Sequence, residues 1–345
     1  MSQRVLVTGA AGQDGAYLCR DLLAAGCEVH AGLRPGGGDA GLWRLRELGL
    51  LGHPQLHLLA LDVRDAPACM AAIARLQPQQ LFHLAALSSV AQAQADPLTA
   101  IANNGNGTVH VLEALRRHAP AARLVFASSA EIFVPRAGVI DETCAWQARH
   151  PYAVSKLLAH TALRCYRDTY ALHASAAILF NHESPLRGPA FVSHKIASAA
   201  ARRAAGLNEV LRLGNLDAER DFGYAPDYVA ALRALAALAD PDEFVIASGR
   251  SASIREFATC AYAAAGIALN WQGSGQTEHA VDARDGWRCI EVDPALLRRA
   301  DAAALRGDPT RARRELGLVD SLDTAALAAL LVAAQRDRLA RSLPA

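Results

Sequence analysis

The 345 residues carry 35 Lys+Arg against 34 Asp+Glu, a net charge of +1, which leaves no electrostatic footprint for a nucleic acid or an anionic membrane surface. Hydrophobic residues make up 52% and charged ones 20%, enough to bury one large core with a lobe or two fused cores. The longest apolar stretches, such as Ala325 to Ala334, are too short to span a bilayer, and the N-terminus runs into a strand without a signal-peptide pattern, so a cytoplasmic protein is expected.

In chain order, β-rich runs at Arg4 to Thr8, Glu28 to Leu33, Gln55 to Leu61, Gln80 to Leu84 and Arg123 to Ala127 alternate with Ala/Leu-rich helical patterns. That alternation predicts an α/β fold with a Rossmann-like, doubly wound parallel sheet, whose ligand-binding edge lies at the C-terminal ends of its strands. After about residue 180 the alternation weakens, and Pro185, Gly188, Pro189, Gly214, Gly249, Gly273 and Gly275 interrupt shorter elements. We therefore expect residues 1–180 to form a dinucleotide-binding domain to which later segments return. Residues 181–345 are expected to form mainly a smaller C-terminal α/β substrate lobe.

The run Gly9-Ala10-Ala11-Gly12-Gln13-Asp14-Gly15 follows the first strand and opens a helical pattern, with the spacing G-x-x-G-x-x-G. In such a turn one glycine makes the bend, one lets a pyrophosphate approach the backbone, and one lets helix pack on strand, leaving phosphate on helix N–H groups. After the second strand the chain reads Gly32-Leu33-Arg34-Pro35, with no carboxylate until Asp39. A cation there suits a 2′-phosphate, so NADP is expected, with NAD the alternative. Asp62-Val63, ending the third strand, are candidates for the adenine edge, and Leu84, Ala85 and Ala86 place small residues near the cofactor. Cysteines 19, 27, 69, 144, 165, 260 and 289 are dispersed without a C-x-x-C pair, and the 12 histidines show no ligand spacing. Neither a disulfide frame nor a metal is expected.

The strongest local signal is Tyr152-Ala153-Val154-Ser155-Lys156, preceded by Ser128-Ser129-Ala130-Glu131 at the end of the fifth strand. At i and i+4, Tyr and Lys share one helix face. A phenol is a poor base at neutral pH, but a neighbouring ammonium and a cationic nicotinamide favour its phenolate, which can remove a hydroxyl proton as hydride leaves the same carbon.

These residues resemble the extended short-chain dehydrogenase/reductase superfamily, and longer strings narrow the resemblance to the GDP-mannose 4,6-dehydratase family. They are Thr8 through Gly15, Ile178 through Gly188, Phe191-Val192 with Lys195-Ile196, and Leu213-Gly214-Asn215. Further on come Arg220 through Ala225 with Asp227-Tyr228-Val229, then Val292-Asp293-Pro294, Arg298 and Gly307-Asp308-Pro309-Thr310. The resemblance implies that Tyr152 takes the 4-hydroxyl proton of a GDP-sugar while hydride passes to NADP. Glu131 then removes the acidified C5 proton, water leaves from C6, and the hydride returns to C6. It further implies that Ser129 hydrogen-bonds the 4-oxygen and that Lys156 holds the nicotinamide ribose and lowers the Tyr152 pKa. Lys195, Arg220 and Arg298 fall at diphosphate and sugar contacts, Asn181 orients sugar hydroxyls or phosphate, and Val192 with Leu213 and Gly214 lines the guanine pocket. Arg187 reaches the cofactor, and Ser88 and Asp301 fall with the substrate. Asp308-Pro309 also reads as a helix N-cap and first-turn pair.

The sequence departs from the family pattern at Phe133-Val134 after Glu131, at Pro35 in the cofactor loop, at Arg298-Arg299, and at Asp301 where the family has Glu. In relatives an Arg-rich cofactor loop joins dimers into tetramers, so Pro35 argues for a homodimer, built through the helices around residues 97 to 118 and 152 to 170. Phe133-Val134 keeps a GDP-manno-heptose 4,6-dehydratase open as an alternative. A 4-keto nucleotide-sugar reductase leaves Glu131 unexplained, and a catalytically silent NADP or nucleotide-sugar sensor leaves the full set Ser129, Glu131, Tyr152 and Lys156 unexplained.

Overall fold

The structure is a computed structural model that describes residues 2–36, 38–134, 138–297 and 304–342. The first half contains β1 (Arg4–Thr8), α1 (Gln13–Ala24), β2 (Glu28–Leu33), α2 (Trp43–Glu47), β3 (Leu56–Ala60), α3 (Ala66–Leu76) and β4 (Gln80–His83). It continues with α4 (Val90–Ala95), α5 (Pro97–Ala100), α6 (Gly107–His118), β5 (Arg123–Ala127), α7 (Pro151–Tyr170) and β6 (Ala174–Leu179). Beyond it lie β7 (His182–Glu183), α8 (Val192–Ala204), β8 (Leu211–Leu213), β9 (Glu219–Asp221), β10 (Gly223–Tyr224), α9 (Ala225–Ala237), β11 (Glu243–Ile246) and β12 (Ser251–Ser253). The last elements are α10 (Ile254–Ala264), β13 (Leu269–Gln272), β14 (His279–Asp282), β15 (Arg288–Val292), β16 (Ala304–Leu305), α11 (Thr310–Leu316) and α12 (Thr324–Ser342).

Seven strands form one parallel sheet in the order β11-β6-β5-β4-β1-β2-β3. The order reverses between β1 and β4, which opens a crevice at their C-terminal ends. One sheet face buries α1 and α9 through Leu18, Leu22, Val229 and Leu232, and the other buries α3, α6 and α7 through Ile73, Val111, Leu115 and Leu163. Five of the seven strands are the β-rich runs of the sequence. The sixth, β6, has the sequence Ala-Ser-Ala-Ala-Ile-Leu and is buried throughout. Its small residues suit a strand covered on both faces, and their low strand propensity hides it among Ala-rich helices.

β11 enters the sheet beside β6 from the second half of the chain, and α9 covers the same sheet. A third core unites α8, α10 and α12 with the four-stranded sheet β13-β14-β15-β8, through Ile196, Phe257, Tyr262, Ile290 and Leu331. Asp221 joins the two regions: its carboxylate accepts from the backbone N–H groups of Ser248 (2.8 Å), Gly249 (2.9 Å) and Gly307 (3.3 Å). Burial pushes it up to about 6 even with those donors. The helix after Gly307 begins one residue later than the sequence suggests. Pro309 occupies the N-cap position of α11, and the Asp308 carboxylate accepts from the Thr310 N–H at 2.9 Å.

At the end of β4, His83 is fully buried between Thr8 Oγ1 (Nδ1, 2.7 Å) and Thr108 Oγ1 (Nε2, 3.1 Å). Burial, with the Lys156 charge nearby, lowers its pKa from 6.5 to about 3. The folded chain therefore binds fewer protons than the unfolded one between those values, so this contribution is complete above pH 6.5 and declines as pH falls toward 3. We expect the stability advantage of the wild type over His83→Gln to shrink by about 3 kcal/mol between pH 7 and pH 4 in urea titrations. An advantage that stays constant with pH would contradict a neutral buried ring.

Candidate active site

Three consecutive residues at the end of β5 meet three turns of α7. The Ala127 carbonyl accepts from Lys156 Nζ at 2.7 Å, Ser128 Oγ lies 2.7 Å from His160 Nδ1, and the Ser129 side chain stands by the Tyr152 phenol and favours its ionisation. Tyr152, Lys156 and His160 are spaced four apart, which puts them on one helix face. Burial raises Tyr152 to about 12; the neighbouring Ser129 opposes that, Glu131 and Asp14 reinforce it, and Arg187 counters it. Burial lowers Lys156 to about 8. Glu131 sits on the single 3-10 turn that Ser129 caps, its N–H donating to Ser129 Oγ at 3.3 Å. Its carboxylate oxygen Oε2 lies 3.1 Å from His150 Nε2. The structure thus gathers Ser129, Glu131, Tyr152 and Lys156 at one strand end, next to the crevice.

The glycine turn lies against that crevice. Gly9 has φ +73, and a Cβ there would come within 2.7 Å of Ala85 N and Leu84 C, so turn and β4 end are in backbone contact. A Cβ on Gly15 would lie 2.3 Å from the Gly9 carbonyl oxygen, which makes helix α1 dock directly on the turn. Gly12 is the N-cap of α1 and offers no side-chain acceptor to its first N–H groups. An anion can take those donors, as a dinucleotide pyrophosphate requires. Arg34 follows β2 in an exposed position, and its charge reaches Asp62. The Asp62 carboxylate is chelated by Arg64, and Val63 is buried, its Cβ 3.3 Å from where a Cβ on Gly107 would stand. Val63 therefore meets a ligand through its backbone at most.

Gln13 and Asp14 face the lobe. His182 Nδ1 lies 2.7 Å from the Phe180 carbonyl and Nε2 lies 3.0 Å from Asp14 Oδ2. Both ring nitrogens thus face acceptors, which selects the imidazolium. Burial opposes charge on both partners, yet their attraction prevails: Asp14 is held below the ordinary carboxylate value and His182 above the ordinary imidazole value. Gln13 donates to the His182 carbonyl at 3.1 Å and accepts from Ser184 Oγ at 2.8 Å, so the turn is tied to the 181–188 string. Arg187 pairs with buried Glu183 at 2.9 Å and lies 3.6 Å over the Phe191 ring.

Of the other sequence candidates, Ala86 and Asn181 are half-buried, Ser88 is exposed, and Lys195 is exposed on the first turn of α8 behind Val192. Leu213 is buried, and a Cβ on Gly214 would lie 2.6 Å from the Leu296 carbonyl oxygen, so this pair abuts the chain just before Arg298. Arg220 lies on β9 and donates to the Glu219 carbonyl at 2.8 Å. Arg298 and Asp301 lie outside the described residues. The sequence reading passed over His150, His160, Glu243 and Arg44. Glu243, on β11, meets His160 Nε2 at 3.1 Å and Arg164 at 2.5 Å, and these partners hold it well below the ordinary range against its burial. Arg44 donates to the carbonyls of Ala11 (3.0 Å) and Leu186 (2.7 Å), and burial with the Arg187 charge lowers it to about 10. The four-residue spacing of Tyr152, Lys156 and His160 was the available signal for His160; Glu243 and Arg44 carry none, because their partners lie far away in sequence.

Among the described residues no group of three or more His, Cys, Asp or Glu could hold a metal ion, and no helix is long and apolar enough to cross a membrane. Sheet, turn and strand-end cluster define an extended short-chain dehydrogenase/reductase fold. The family model described as GDP-mannose 4,6 dehydratase matches residues 6–329. A GDP-mannose 4,6-dehydratase from Sinorhizobium fredii is 36% identical over 322 residues, 90% of each chain. Another from Yersinia enterocolitica is 34% identical over 351 residues, 96% of this chain and 93% of that one. Among solved structures, Thermus thermophilus UDP-glucose 4-epimerase in complex with NAD superposes with a TM-score of 0.78 at 26% identity, covering 97% of this chain and 99% of that chain. The chain belongs to the GDP-mannose 4,6-dehydratase family.

The Asp14–His182 pair has a defined pH window. Its His182 part is complete below pH 6.5 and is lost as pH rises through the raised pKa, while its Asp14 part is present above pH 3.8 and is lost as pH falls through the lowered one. Thermal melts from pH 5 to 9 are expected to show wild-type stability falling at the alkaline end relative to His182→Asn. Parallel curves for the two proteins would show that His182 is not charged.

Proposed function

We propose that this protein is a cytoplasmic, NADP-dependent GDP-mannose 4,6-dehydratase that converts GDP-mannose to GDP-4-keto-6-deoxymannose. The observation that carries the reading is Glu131 beside the Ser129–Tyr152 pair: an epimerase or simple reductase needs the phenol but has no use for a second base two residues from that serine. A nicotinamide dinucleotide, when bound, supplies the hydride acceptor for C4 and the hydride donor for C6. Gly9, Gly12 and Gly15 would hold its pyrophosphate, Arg34 its 2′-phosphate, and Lys156 its nicotinamide ribose. Tyr152 Oη takes the 4-hydroxyl proton, and Ser129 Oγ donates to the same sugar oxygen. Its elevated pKa in the free protein means that the phenolate has to be favoured by cationic surroundings, with Arg187 acting in that direction. Glu131 removes the C5 proton, made acidic by the neighbouring C4 carbonyl, as the C6 hydroxyl leaves as water. Lys195, Arg220 and Arg298 are assigned to the diphosphate and sugar, and Asn181, Val192, Leu213 and Gly214 to hydroxyls and guanine.

Mass spectrometry of the purified protein with GDP-mannose, and separately with GDP-manno-heptose, tests this directly. We expect loss of about 18 Da, the mass of one water, from GDP-mannose without a stoichiometric reductant, with stripped protein revived better by NADP than by NAD. Tyr152→Phe and Glu131→Gln should each lower turnover by about 100-fold or more. Dehydration of the heptose alone, or NADPH consumption without loss of water, would overturn the reading.

A homodimer is proposed for the same face that the sequence suggested. Leu98 on α5 is 80% exposed, and Val154 and Leu158 on the outer side of α7 are 43% and 42% exposed, beside the site helix. A second copy would cover these apolar groups through a two-fold contact. Analytical ultracentrifugation should give a dimer that Leu158→Arg converts to monomer; a monomeric wild type would refute it.

A further inference from the structure

We propose that His150 is a positioning residue that aims Glu131, and that the N-cap of α7 fixes the tautomer in which it does so. The inference rests on the dehydratase reading for its kinetic consequence but not for its geometry. His150 has extended backbone (φ -150, ψ 162) and occupies the N-cap of α7, a position where Ser, Thr, Asp or Asn is ordinarily preferred. Its ring does the capping: Nδ1 accepts from the Ala153 N–H at 3.3 Å. A nitrogen that accepts carries no hydrogen, so the neutral ring bears its proton on Nε2. Nε2 is the atom 3.1 Å from Glu131 Oε2 and therefore donates to it. The ring also lies nearly parallel to Tyr152, 6.3 Å between centroids and 10° between planes. Its side chain is only 10% exposed, against 26% for Glu131, so the donor is the more fixed of the two.

The consequence is chemical. Glu131 stands on a single 3-10 turn, and a carboxylate there can rotate away from C5 unless an oxygen is held. Donation to Oε2 holds it, and it favours the ionised form that has to accept the C5 proton. The N-terminal end of a 20-residue helix adds a positive partial charge on the same side. Because Nδ1 is committed to the cap, the ring cannot flip or change tautomer without uncapping the helix that carries Tyr152 and Lys156. One residue thus ties the orientation of the base to the position of the phenol. A serine would cap α7 equally well but reach no further, which gives a reason for a histidine where local helix chemistry does not ask for one.

Two substitutions separate the two jobs. His150→Ser retains a capping oxygen and removes the donor; His150→Gln retains a donor near the position of Nε2 and weakens the cap. In the full-length holoenzyme we expect H150S to melt within about 1 °C of wild type while kcat falls about 10- to 100-fold with KM for GDP-mannose little changed. H150Q should recover most of that kcat while melting a few degrees lower. Loss of kcat that tracks loss of melting temperature in both variants would reduce His150 to a cap and overturn the proposal. Independently of turnover, 15N NMR of histidine-labelled protein should show that the resonances missing in H150S belong to an Nε2–H tautomer and shift in Glu131→Gln. An Nδ1–H tautomer, or resonances indifferent to that substitution, would overturn it. If the wild type removes no water from GDP-mannose, the dehydratase reading fails on its own, and the NMR result still decides the contact.

Discussion

The docking of α7 along the end of β5 is the constraint on which the site depends. Ala127 and Ser128 hold two successive turns of the helix, through Lys156 and His160, and Ser129 stands by Tyr152 on a third. A shift of the helix by one turn would break both hydrogen bonds together, so phenol, ammonium and strand end keep one register. His160 extends the hold across the sheet, because its second nitrogen meets Glu243 on β11, which Arg164 and Arg167 also clamp. Buried polar groups of this kind are costly unless every partner is present, which makes the arrangement specific rather than adjustable.

A second constraint links the glycine turn to the lobe. Gln13, Asp14, His182 and Ser184 form a closed set of hydrogen bonds between the start of α1 and the segment that leads to Arg187. The turn cannot move without moving that segment. Arg44 strengthens the link by donating to a carbonyl on each side, Ala11 and Leu186. The glycine turn and the 181–188 segment are in this way built as one piece, although the bonded residues lie 169 and 171 positions apart in sequence.

The use of lysine illustrates how chemistry limits substitution. Only Lys156 and Lys195 among the 35 cationic residues are lysines, in a chain that otherwise uses arginine. At Lys156 an arginine would not serve, since a planar guanidinium does not fit a single carbonyl in a buried slot and does not titrate near neutrality, whereas burial brings this ammonium to about 8.

The sequence by itself determined the parallel sheet, the glycine turn, and the family, because each is written in short-range patterns: alternating elements, G-x-x-G-x-x-G, Tyr152 four before Lys156, and contiguous strings such as 178–188. It also singled out Ser129 and Glu131 from their place just past a strand. It did not reveal β6, whose alanines have no strand signature, nor which of the later segments returns to the sheet, which is β11. It left His150, His160, Glu243 and Arg44 unremarked, and it did not show that the Asp14 carboxylate pairs with His182. Only the tertiary structure decided these, for one physical reason. A buried ionisable group takes its role from the partner that neutralises or orients it, and here those partners, Glu131 for His150, Glu243 for His160 and Asp14 for His182, are brought in by the fold from 19, 83 and 168 residues away.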